Sequence, residues 1–105
     1  MTNIEYYREI NRTLDDLKID YNNAMKMLDG NGATKIMHDI YDISRRSRRA
    51  IMYEISWIDE FADEAIEPVM RAGAHERIAE LESILDESTK IISDFALKTL
   101  RINLN

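Results

Sequence analysis

Residues 2–28 read TNIEYYREINRTLDDLKIDYNNAMKML, and the apolar spacing within them decides the fold. Tyr7, Ile10, Leu14, Leu17, Tyr21, Ala24 and Leu28 follow one another at steps of three and four. That rhythm belongs to an α-helix with one apolar seam, and a seam held for three heptads packs lengthwise along another helix. Thr2 and Glu5 stand at capping-box spacing at its start. The rhythm returns late in the chain in Ile78, Leu81, Leu85, Ser88, Ile92, Phe95, Thr99 and Ile102, with Ile84, Ile91 and Leu100 widening the face.

Between these stretches the chain is punctuated twice. Asp29-Gly30-Asn31-Gly32 reads as a turn, and Glu67-Pro68 followed by Gly73 reads as a second break. Helices are therefore expected over about 2–28, 34–66 and 74–102, of nearly equal length and suited to an up-down-up arrangement. Whether Pro68–Ala72 continues the second helix or forms a separate turn stays open, because proline can open a helical turn as well as end one. With one proline and three glycines in 105 residues, the frequent turn signals of an all-β or α/β chain are missing. The expected fold is all-α: one domain over residues 1–105, an antiparallel bundle of three long helices with coiled-coil-like packing.

The middle helix carries a second message. Its N-terminal half offers Ile36, Ile40 and Ile43, an ordinary stripe. Its C-terminal half offers Ile51, Tyr53, Ile55, Trp57, Ile58, Phe61, Ala62, Ala65 and Ile66, which cover most of the circumference. A helix apolar nearly all round is surrounded on most sides, and a chain this small has few neighbours to offer. The bundle is thus expected to be completed by homo-oligomerisation, with Ile55, Trp57, Ile58 and Phe61 at the oligomer interface.

Composition removes several function classes. Hydrophobic residues make up 45% and charged ones 32%, which suits neither a disordered nor a membrane-embedded chain. No cysteine is present, so disulfides, thiolate metal sites and a cysteine nucleophile are all excluded. The opening MTNIEYYREI has no apolar stretch of signal-peptide length, and no apolar run approaches a membrane span. A cytoplasmic location is expected, the host cytoplasm for a viral protein, with no membrane partner.

The net charge of −6 is unevenly spread. Residues 54–87 carry eleven acids against Arg71 and Arg77, a net −9, whereas residues 30–53 carry a net +3. In an up-down-up bundle this makes the pole between the second and third helices acidic. Glu60, Asp63, Glu64 and Glu67 crowd the last turns of the second helix, where each negative charge is unfavourable by roughly 0.3–1 kcal/mol. Such a locally unfavourable cluster marks a candidate surface for a cationic partner, for instance a basic nucleic-acid-binding protein, or for a divalent metal, with a merely solvated surface as the alternative reading. Ser44-Arg45-Arg46-Ser47-Arg48-Arg49 is the second candidate. Its arginines are expected opposite Asp15 and Asp16 of the first helix and near Asp94, either in interhelical ion pairs or as a binding patch. Without interleaved aromatics, in an acidic chain, they do not argue for direct nucleic-acid binding. Ser44 and Ser47 fall on or beside the seam, consistent with close helix approach or a polar layer.

Motifs for chemistry are sparse. His38 and His75 are the only histidines, neither follows a Glu three residues earlier, and His38 with Asp42 is a single i, i+4 pair. No nucleophile elbow or Gly-rich phosphate loop occurs, so no catalytic residue, cofactor or metal site is assigned. One enzymatic alternative has residues behind it. Asp59-Glu60-Phe61-Ala62-Asp63-Glu64 and Glu82-Ser83-Ile84-Leu85-Asp86-Glu87 form two acidic clusters on successive helices. Over about 30 residues they resemble all-α nucleoside triphosphate pyrophosphohydrolases of the MazG type, which carry Glu-Glu-x-x-Glu and Glu-x-x-Asp and hold magnesium on those carboxylates. The first cluster departs from that pattern as Asp-Glu-x-x-Asp, and the second sets Glu and Asp four apart. The leading expectation is a non-enzymatic bundle that binds a protein partner stoichiometrically through acidic and apolar surface. In composition it is similar to small phage-encoded inhibitors of host defence such as anti-CRISPR proteins. A purely self-assembling structural protein is the remaining alternative.

Overall fold

The computed structural model describes residues 3–64 and 67–104, with side chains through residue 99. Thr2 of the expected capping box, Ala65, Ile66 and the side chains of Leu100 and Ile102 lie outside the described residues. Among those described, the chain forms three α-helices and no strand: α1 Asn3–Lys26, α2 Gly30–Glu64 and α3 Pro68–Leu104. All three pack against one another in an elongated bundle measuring 59 × 28 × 15 Å. The all-α expectation is met. The expectation of nearly equal lengths is not, because α1 has 24 residues against 35 and 37 for α2 and α3.

Both breaks lie earlier than their spacing suggested. The first reversal occurs at Met27 and Leu28, not at the glycines. Asp29 N–H donates to Ala24 O at 2.9 Å and Leu28 N–H to Met25 O at 3.1 Å, the paired bonds of a Schellman ending. Leu28 takes the left-handed conformation with φ 58°, where glycine is the usual residue. Asp29 then caps α2: its Oδ1 accepts from Gly32 N–H at 3.0 Å, and its carbonyl accepts from Ala33 N–H at 2.9 Å. A Cβ on Gly32 would meet the Asp29 carboxylate, so a side chain there would have to displace the capping group. The segment 30–33, expected as turn, is the first turn of α2.

At the second break Glu67 O accepts from Met70 N–H and Arg71 N–H at 3.1 and 3.2 Å, so Glu67 is the N-cap residue and Pro68 the first residue of α3. Proline suits that position because its missing N–H would have had no helical partner. Gly73, expected as a break, is carried inside α3. The open question over Pro68–Ala72 is thereby answered: they belong to α3.

The core is divided along the bundle axis. Leu14, Tyr21, Ala24, Ala33, Ile40, Ile91 and Phe95 form one apolar cluster, with Phe95 edge-on to Tyr21 at 5.0 Å. Ile4, Tyr7, Ile51, Leu81 and Ile84 form the other. Between them on every helix sit buried polar residues: Asn11 on α1, Ser44 and Ser47 on α2, Ser88 on α3. Asn11 Nδ2 donates to Ile84 O at 3.2 Å, while Asn11 Oδ1 and the three serine hydroxyls have no hydrogen-bond partner. Ser44 and Ser47 thus make the polar layer their position suggested. Asn11 was hidden in the sequence by Ile10, the apolar residue beside it, which is only partly buried.

Candidate protein interface

The short α1 positions the site. Asn3, the first described residue of α1, donates from Nδ2 to Glu54 Oε1 at 3.3 Å, so α1 starts level with Glu54. Ile55 and Ile58 still pack in part against the cluster that holds Ile4 and Tyr7 of α1, and past them the exposed end of α2 runs towards the start of α3. Small residues, Ala62 and Ala74, are buried on the two helices. The apolar excess of α2 falls on this end and its approach. Tyr53, Trp57 and Phe61, at i, i+4 and i+8, are 71%, 66% and 47% exposed. Val69 and Met70 are exposed at the tip. Ile55 and Ile58, expected at an oligomer interface with Trp57 and Phe61, are partly buried and pack against the cluster of Ile4, Tyr7, Ile51, Leu81 and Ile84.

Glu54 ties the three helices together at the base of this end. Tyr7 OH donates to Glu54 Oε2 at 2.9 Å and Arg77 Nη2 pairs with Oε1 at 3.4 Å, beside the Asn3 contact. Burial, and then the hydrogen bond to Glu54 and its charge, push the Tyr7 phenol up to about 12. Above this anchor lies a groove of about 670 Å³, walled by Tyr53, Trp57, Arg49 and Ile58 with Asn3, Tyr7 and Arg77 opposite. The aromatic rings at its rim, Tyr53 and Trp57, are mostly exposed.

The expected acidic site is brought to the same place. Glu60, Asp63, Glu64 and Glu67 are all exposed on or just past the end of α2. Glu67 needs no functional explanation, because at the N-cap of α3 its charge is favourable. Glu60, Asp63 and Glu64 remain near the C-terminus of α2, and none has an ion pair among the described residues.

The basic segment behaves differently from the expectation of interhelical pairing. Arg45 Nη2 lies 2.9 Å from Asp42 Oδ1 and Arg46 Nε 3.3 Å from Asp42 Oδ2, both within α2. Spacings of three and four residues bring these partners together more readily than any reach across to α1. Among the described residues no ion pair joins Arg45, Arg46, Arg48 or Arg49 to Asp15, Asp16 or Asp94. Arg48 is partly buried, with Nε lacking a hydrogen-bond partner, and Arg49 is exposed beside the groove. Interhelical pairs do occur elsewhere, at Arg77–Glu54 and at Arg8–Glu80, 3.9 Å apart.

Among the described residues no three histidine, aspartate or glutamate side chains gather closely enough to hold a metal ion. The acidic clusters 59–64 and 82–87 therefore do not converge into the ligand set that the MazG resemblance implies, and the Asp42 carboxylate beside His38 already serves two arginines. No described helix is long and apolar enough to cross a membrane. Compared with protein-family models, with curated proteins and with solved structures, the chain matches none.

Proposed function

We propose that this chain is a non-enzymatic helical bundle that binds a protein partner stoichiometrically through the exposed face of the C-terminal half of α2. The observation that carries the reading is the row Tyr53, Trp57 and Phe61, open to solvent along two turns of a rigid helix. Large aromatic side chains in a row, rimmed by charge, are the composition of a binding hot spot more than of an idle surface. The rim is acidic: Glu60, Asp63 and Glu64 stand along the same stretch of helix. A partner that fits is an amphipathic helix or groove edge with apolar residues for the aromatic row and lysine or arginine beside them. The acidic rim raises encounter rate and selects against acidic competitors, while the aromatic row supplies most of the affinity. A stoichiometric inhibitor that occupies a basic surface on its target is the form of this function that the charge favours.

Capture from host lysate by tagged protein tests it, comparing the native chain with the Glu60→Gln/Asp63→Asn/Glu64→Gln variant. At about 0.1 M salt, where charges act over roughly 10 Å, the native chain is expected to retain one dominant protein and the variant to lose it. Equal capture by both, with unchanged helical content, refutes the acidic rim as part of the docking surface.

A further inference from the structure

The residues along the outer face of α2 are arranged so that the face complements itself. At 100° per residue, Arg46, Arg49, Tyr53, Trp57, Glu60 and Glu64 fall within an arc of about 80°. That arc lies opposite buried Ser44, Ile51 and Ala62, and all six of its residues are exposed; Tyr53 and Trp57 are the exposed rings already described. Arg46 touches Asp42 yet keeps 78% of its side chain exposed. Along this arc the order is basic, aromatic, acidic.

A two-fold axis through position 55 maps that order onto its complement. Arg46 and Glu64 each lie nine residues from position 55, about 13 Å along the helix. Arg49 and Glu60 lie six and five residues away, and Tyr53 and Trp57 two residues either side. Laid antiparallel, two α2 helices therefore set Arg46 against Glu64, Arg49 against Glu60, and Tyr53 against Trp57, each pair occurring twice. An isologous contact requires this: every residue must meet its complement on the same patch of the other copy. A parallel arrangement would instead oppose arginine to arginine and glutamate to glutamate.

We infer that the first occupant of the α2 face is a second copy of this chain, docked antiparallel across Tyr53 and Trp57. The inference rests on the reading of that face as a protein-docking surface and names its partner. The groove above Glu54, whose rim carries Tyr53 and Trp57, gives the partner's Trp57 side a seat. A different protein that reads Tyr53, Trp57, Glu60 and Glu64 therefore competes with the second copy for this face, while Phe61, Asp59 and Asp63 lie outside the arc.

The test uses purified full chain and two charge variants at exposed positions. One is all-acidic, Arg46→Glu/Arg49→Glu; the other is all-basic, Glu60→Arg/Glu64→Arg. Sedimentation between about 1 and 100 µM covers the range in which a micromolar dimer dissociates. The native chain is expected to dimerise, with the emission of Trp57, the one tryptophan in the chain, shifting to the blue as concentration rises. Each variant alone should dissociate, its constant rising by about a hundredfold or more because four attractive pairs become repulsive. Mixed one to one, the two variants should form a heterodimer, while circular dichroism reports both as folded. A monomeric native chain overturns the inference and leaves the face to a different protein. A dimer indifferent to both variants, or variants that fail to pair when mixed, also overturns it. Lysate capture by a monomeric all-acidic variant, which keeps Glu60, Asp63 and Glu64, separates this result from the proposed function.

Discussion

Replacing Ser44 and Ser88 together by alanine should stabilise the bundle. Both residues are fully buried in the layer between the two apolar clusters, and neither hydroxyl has a hydrogen-bond partner. A buried, unsatisfied hydroxyl costs roughly 1–3 kcal/mol in lost hydration, so removing two relieves about 2–6 kcal/mol. Alanine adds up to about 0.7 kcal/mol per site in helix propensity, set against the small void left by each oxygen. A domain of this size shifts by roughly 4 °C or more per kcal/mol, so Tm should rise by about 8 °C or more. The assay is a thermal melt followed by circular dichroism at one protein concentration, since self-association would make Tm depend on concentration. A urea titration with unchanged slope would show that the same transition is being compared. A fall in Tm for the double variant refutes the reasoning, because it would mean the hydroxyls hold partners whose loss outweighs the relief. The layer has a second effect to check. Polar groups at one level of a bundle fix which turns of the helices face each other, so the stabilised variant should also show broader side-chain resonances if Asn11 alone holds the register.

Leu28→Gly should stabilise by about 0.5–1 kcal/mol, because Leu28 is 91% exposed, buries nothing and sits at φ 58°, where a Cβ is strained; a melt with lower Tm would sink it. Tyr7→Phe tests the Glu54 anchor through pH. The phenol ordinarily titrates near 10 and is pushed up to about 12 in the fold, so the native state holds its proton longer than the unfolded state. That contribution is fully present below pH 10 and is lost as pH rises towards 12. Stability of the native chain relative to Tyr7→Phe should therefore fall over that window by as much as roughly 2–3 kcal/mol, and a flat difference between pH 9 and 12 would contradict it.

Sequence periodicity alone determined that this protein is helical, where its seams run and which of its serines lie on them. Those features follow from the 3.6-residue repeat, which every stretch of chain expresses locally. It also exposed an excess: Tyr53, Trp57 and Phe61 were too many for one buried face, and the structure leaves those three uncovered. Composition could not say which member of the apolar set would be free, because Ile55 and Ile58 differ from Trp57 only in the direction they take round the helix relative to α1 and α3. The turn was misplaced for a related reason. Gly30 and Gly32 look like turn residues, but the reversal was taken by Leu28 once the bonds to Ala24 and Met25 had closed α1, and the glycines then served the Asp29 cap. For Arg45 and Arg46, Asp42 one turn away on the same helix is a nearer partner than Asp15, Asp16 or Asp94 on the other helices. Above all, only the tertiary structure decided that α1 begins level with Glu54. The axial offset between helices is set by the sum of contacts along their whole length, here by the Asn11 layer and the Glu54 anchor, and no single stretch of sequence carries it. That offset sets Asn3 and Tyr7 of α1 against the groove whose other wall is Tyr53, Trp57 and Ile58, with Glu60, Asp63 and Glu64 exposed farther along α2.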